Sequence, residues 1–96
     1  MIVKKRIKIM NPQGLHARPA SVFVKIANRF ESEVSVKKGG EKVNGKSIMG
    51  LMTLAANKGS ILEIETSGPD ADKAMQELER FLMNDSEENL KKDGAA

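Results

Sequence analysis

Hydrophobic and polar residues change their period along this chain, and each change marks an element. Val3, Ile7 and Ile9 alternate with Lys4, Arg6 and Lys8, the period of two expected of a half-buried strand. Lys5 interrupts the apolar side near the start, so the first residues are expected to fray. Asn11-Pro12-Gln13-Gly14 reads as a turn. From Ala17 to about Asn28 the period is helical. Ala20, Phe23, Val24 and Ala27 share one face, Val22 and Ile26 widen it, and Lys25 and Arg29 are left for solvent. Val34 and Val36 then alternate with Glu33, Ser35 and Lys37 as a second strand. Gly39-Gly40 predicts a hairpin. Glu41 to Asn44 is the short return strand, with Val43 inward and Gly45 ending it.

Ser47 precedes an apolar run from Ile48 to Ala56. The run reads as a short helix with Ser47 as N-cap, Gly59 as C-cap, and Gly50 as a weak point inside it. Leu62 and Ile64 alternate with Glu63 and Glu65 in a fourth strand. Gly68-Pro69-Asp70 opens a last helix with a stripe of Ala71, Ala74, Met75, Leu78, Phe81 and Leu82. Residues 84–96 are polar and are expected to form a partly disordered tail, leaving 1–83 as one domain. The order β-α-β-β-α-β-α, with strands patterned on one face, predicts an open-faced β-sandwich of the α/β (α+β) class. Order alone leaves ferredoxin-like topologies open.

Composition narrows the function classes. The 96 residues contain no cysteine, so disulfides, thiol catalysis and cysteine-held zinc are excluded. One histidine without cysteine does not make a metal site, and nothing calls for a cofactor. No apolar run approaches the ~18 residues of a membrane span. The start lacks the pattern of a signal peptide, so a cytoplasmic, non-inserted protein is expected. The net charge of +3 favours acidic partners. With three Phe and no Trp or Tyr, stacking platforms for bases are scarce, so direct nucleic-acid binding is not expected.

The single histidine then stands out. In Gly14-Leu15-His16-Ala17-Arg18-Pro19, His16 is placed as N-cap of the first helix, ahead of free backbone N–H groups. A neutral imidazole is a nucleophile near pH 7. The positive end of a helix and the Arg18 guanidinium both favour a phosphoryl group arriving there. Pro19 costs little at the third helical position, where no acceptor exists for the missing N–H. A phosphoramidate on histidine is easily given away, which suits a carrier.

Ser47 offers a second anion-ready helix start. As a cap alone it contributes about 1 kcal/mol. Lys46 beside it can pair with a phosphate, and Ile48, Met49 and Met52 form a candidate docking patch.

Gly14-Leu15-His16-Ala17-Arg18-Pro19-Ala20 resembles the phosphohistidine motif of the HPr family, phosphocarriers of the bacterial phosphoenolpyruvate-dependent sugar phosphotransferase system (PTS). Asn44-Gly45-Lys46-Ser47-Ile48-Met49-Gly50-Leu51-Met52 resembles that family's regulatory serine motif. The resemblance covers roughly residues 1 to 83. It implies a four-stranded antiparallel sheet with three helices on one side. It further implies that His16 takes a phosphoryl group at Nδ1 from phospho-enzyme I and passes it to an enzyme IIA domain. Arg18 and the N–H groups of Ala17 and Arg18 would hold that group, with Gly14 and Pro19 shaping the helix start. Ser47 would be the target of an HPr kinase/phosphorylase, with a catabolite-control transcription regulator as a further partner. Ala20, Lys46, Ile48, Met49 and Met52 would meet partners, and the protein would act as a monomer. The alternatives are a nitrogen-system HPr paralogue or a mainly regulatory protein. A catabolite-control paralogue lacking the active histidine does not fit, because His16 is present.

Overall fold

A computed structural model describes residues 1–84. Its elements are β1 (Ile2–Lys8), α1 (Ala17–Ala27), β2 (Glu33–Lys38), β3 (Glu41–Asn44), α2 (Ile48–Thr53), β4 (Ile61–Ser67) and α3 (Ala71–Met83). The expected tail falls almost wholly on residues 85–96, which lie outside the described residues.

The strands form one antiparallel sheet in the order β1-β4-β2-β3. This confirms the open-faced α+β arrangement, with α1, α2 and α3 packed over one face. Ile7, Val34, Val36, Leu62, Ile64 and Thr66 point under the helices and are buried. Phe23 of α1 and Leu78 and Leu82 of α3 close the core from above at 0% exposure. Burying each such side chain contributes roughly 1.5–3 kcal/mol.

The other face is wet and ionic. Lys4 lies opposite Glu65 and Arg6 opposite Glu63 in the β1–β4 register, and Lys4 Nζ is 3.6 Å from Glu65. Opposite charges across a strand pair favour this register.

Three expectations need correction. The first residues do not fray, because Ile2 pairs with Ser67 and β1 is in register from its second residue. Lys5 takes the helix-side position but escapes the core at the sheet edge, where Nζ bonds Glu79 of α3 at 2.9 Å. Ile9 lies beyond β1, yet it is fully buried and its N–H bonds Ser60 O at 2.8 Å. Finally, α2 ends at Thr53 rather than running to a Gly59 cap. There the Thr53 hydroxyl bonds Gly50 O, Leu54 tightens onto Leu51 O, and Ala55 turns left-handed at φ 50. Gly59, at φ 94, belongs to the next turn instead.

Candidate functional site

The turn before α1 is fastened at several points. The N–H groups of Met10 and Asn11 both bond Leu82 O at the end of α3, at 2.8 and 3.2 Å. Buried Asn11 accepts Gln13 N–H on its side chain and Gly14 N–H on its carbonyl. Leu15 is fully buried and donates to Ala56 O at 2.8 Å. Gly14, at φ 63, lies so close to the 56–57 backbone that a Cβ would sit 2.5 Å from Ala56 O and 2.8 Å from Asn57 Cα. Only glycine allows both this conformation and this approach.

These contacts set His16 at the start of α1. Its backbone is extended (φ −80, ψ −169), its carbonyl accepts Ala20 N–H at 2.9 Å, and its side chain makes no cap bond to the helix. Instead Nε2 lies 2.9 Å from Asn57 Oδ1. A carboxamide oxygen only accepts, so with the oxygen facing the ring, Nε2 donates and the lone pair sits on Nδ1. His16, Ala17 and Arg18 are all exposed. The N–H groups of Ala17 and Arg18 donate to no described residue, nor does the Arg18 guanidinium. Arg18 stays helical ahead of buried Pro19. The arrangement therefore presents a nucleophilic nitrogen, two free N–H donors and an unpaired guanidinium on one exposed helix start.

Sequence reading missed Asn57, which it placed in the tail of α2. The residue sits 41 positions from His16, and only the close approach of Gly14 brings the two together.

Ser47 is the N-cap of α2, as expected, and its hydroxyl accepts Gly50 N–H at 3.0 Å. Lys46 is half-buried and its Nζ bonds Phe30 O at 2.8 Å, so its ammonium is already engaged behind α1. Ile48, Met49 and Met52 are 40%, 79% and 45% exposed. Ala20 is fully buried, so its side chain belongs to the packing beneath α1 rather than to this exposed patch.

A groove of about 500 Å³ lies elsewhere, lined by residues such as Glu33, Lys42, Asn44 and Glu65. Neither His16 nor Ser47 lines it. Among the described residues no group of acidic or histidine side chains is placed to hold a metal, and no helix is long and apolar enough to cross a membrane.

Comparison with known proteins agrees with this geometry. The PTS-HPr family model, described as the PTS HPr component phosphorylation site, matches residues 3–84. The chain is similar to the phosphocarrier protein HPr of Neisseria meningitidis serogroup A, at 52% identity over 77 residues, or 80% of this chain and 86% of that protein. It superposes on the crystal structure of HPr from Bacillus anthracis with a TM-score of 0.82 at 44% identity, covering 84% of this chain and 96% of the other. It also resembles Crh, a Bacillus subtilis catabolite-repression protein whose crystal structure is a domain-swapped dimer. Here the TM-score is 0.71 at 40% identity, over 88% of this chain and 97% of that one.

Proposed function

Since the chain belongs to the PTS-HPr family, whose members are phosphocarriers rather than enzymes, we propose that His16 accepts a phosphoryl group at Nδ1 from phospho-enzyme I and passes it to an enzyme IIA domain. The observation that carries this reading is the Asn57 bond to Nε2, which leaves the Nδ1 lone pair as the ring's nucleophile. As that lone pair forms the bond to phosphorus, the donor's bond to phosphorus breaks and its electron pair leaves with the donor. The free N–H groups of Ala17 and Arg18 and the Arg18 guanidinium face the charge carried on the phosphoryl oxygens. Residues 1–83 act as one carrier domain in the cytoplasm.

Ile48, Met49 and Met52 form the face on which partners dock. Flexible thioethers adapt to more than one partner surface, and three exposed apolar side chains on one short helix are costly without a use. We read the acting form as a monomer, since β1 pairs with β4 of its own chain along its whole length. Sedimentation or light scattering at working concentration tests this.

The decisive experiment is incubation with phosphoenolpyruvate and enzyme I. An acid-labile phosphate is expected on the protein, absent in His16→Ala. Wild type left unlabelled, or His16→Ala labelled equally, ends the carrier reading.

A second reading concerns regulation. Ser47 is a hydroxyl at a helix start, partly exposed, beside the exposed patch. A phosphate there is electrostatically welcome and lies where partners dock. ATP and an HPr kinase/phosphorylase should give an acid-stable phosphate that Ser47→Ala lacks, and the modified form is the one a catabolite-control transcription regulator would bind. The Ser47 segment favours this sugar and catabolite-control branch over the nitrogen-system paralogue.

A further inference from the structure

Asn57 is held in place from behind by a residue that the phosphoryl chemistry does not touch. Lys38 is the last residue of β2 and is half-buried. Its Nζ donates to Leu54 O at 3.1 Å and to Ala55 O at 3.3 Å. Leu54 is the C-cap of α2, and Ala55 follows it in the left-handed region at φ 50. Neither oxygen accepts a backbone N–H, and no carboxylate pairs with Lys38 among the described residues. The ammonium is therefore committed to these two carbonyls. A cation at a helix C-terminus is favourable, and here it also fixes the direction in which the chain leaves the helix.

That direction decides where the next two residues fall. Ala56 presents its carbonyl to Leu15 N–H, and Asn57 presents Oδ1 to His16 Nε2. The clamped carbonyl of Ala55 and the carboxamide are thus only two residues apart, in a segment with no regular structure. Ala55 has no glycine's ease in its left-handed conformation, so without the clamp the segment is drawn towards other backbone angles. A displacement of well under an ångström takes the contact beyond the ~3.5 Å at which a hydrogen bond to the ring is lost.

We infer that Lys38 is a positioning residue for His16: by holding the carbonyls of Leu54 and Ala55 it sets Asn57 against Nε2 and so keeps the lone pair on Nδ1. The consequence for transfer rests on the phosphocarrier reading, whereas the coupling to the ring is measurable without any phosphate.

The test uses the full chain. Lys38→Met keeps the aliphatic stem and removes the charge, and Lys38→Arg restores a cation of similar reach. At about pH 8, where an ordinary imidazole is neutral, nitrogen-15 NMR should show wild-type His16 protonated at Nε2 only. In Lys38→Met both ring nitrogens should move towards the averaged pattern of free histidine and the Asn57 side-chain amide signal should shift. Lys38→Arg should return them. Uptake of acid-labile phosphate from phosphoenolpyruvate and enzyme I should fall about three- to tenfold in kcat, with KM within about twofold, because the docking patch is untouched. In an Asn57→Ala background the same substitution should cause no further fall. The inference is overturned if folded Lys38→Met keeps the wild-type ring and Asn57 signals, or if its kinetic loss is as large without Asn57 as with it. Should Lys38→Met fail to fold, Lys38→Gln carries the same measurements. Wild type that takes up no phosphate defeats the carrier reading alone, and the ring signals still decide the role of Lys38.

Discussion

At the start of α1 the N-cap side chain gives nothing to its own helix: His16 turns its ring to Asn57, and the N–H groups of Ala17 and Arg18 have no partner among the described residues. At the start of α2 the N-cap residue serves its helix directly, with Ser47 Oγ accepting Gly50 N–H at 3.0 Å. The two ends obey the same electrostatics and differ in what has been spent. An N-cap that closes on its own backbone stabilises a short helix. An N-cap held outward by a remote residue leaves the helix end open to an incoming anion. The first arrangement is available to any serine. The second needs tertiary structure, here Gly14 pressed against Ala56 and Asn57.

The largest way to separate the two ends is to remove each side chain in turn. His16→Ala should lose acid-labile labelling altogether, whereas Ser47→Ala should keep it. Equal labelling of the two variants would erase the distinction. Gly14→Ala comes next. It strains a left-handed position and drives a methyl into Ala56 O, so it should destabilise by about 2–3 kcal/mol in urea titrations. It should also uncouple Asn57 from the His16 ring, and a variant as stable as wild type would mean the approach is not tight. Arg18→Ala should slow transfer about tenfold or more, equivalent to about 1.4 kcal/mol of barrier, while unfolding stability stays within about 0.5 kcal/mol. A stability loss without a kinetic one would make Arg18 a structural residue. Ser47→Ala should cost about 1 kcal/mol of stability, and Ser47→Gly only a few tenths.

The smallest effect belongs to a third helix start. Asp70 precedes α3 yet makes no side-chain cap bond to it. Its carboxylate instead accepts the buried Ser32 hydroxyl and the N–H groups of Glu31 and Ser32, tying the α1–β2 connection to α3. The Ser32 hydroxyl is the main cause that holds the Asp70 carboxyl below its ordinary 3.8, with the backbone N–H groups adding to it against some desolvation. A depressed folded value gives stability that is present above the unfolded value. That stability is lost as pH falls through the folded one, so it disappears below about pH 4. In denaturant titrations across this range, Asp70→Asn should have a flatter pH dependence than wild type, and an unchanged slope would show that the network carries no linkage.

Much of this was legible in the chain. The stripe from Ala71 to Leu82 is buried as its spacing requires, the Gly39-Gly40 hairpin forms where expected, and both N-caps fall on the residues assigned to them. These are local facts, decided within a few residues. What stayed hidden was decided at a distance. Nothing near Asn57 announces that it meets His16, because the contact depends on a backbone approach between two turns. The end of α2 was misplaced because Ala55, not Gly59, takes the left-handed turn, with Lys38 from another strand holding its carbonyl. Lys46 looked free beside Ser47, and the fold ties it to Phe30.

The exposure of His16 has one more consequence. A phosphoryl group placed on this helix start would ride in open water, with no lid or cleft among the described residues to shelter it. Its lifetime would then be set by the P–N bond itself, as a clock that starts at each loading. The carrier would have to find an acceptor before that clock runs out, so the rate of encounter matters more than tight binding. A net charge of +3 and exposed methionines would suit a carrier whose partners are acidic and are met and left quickly.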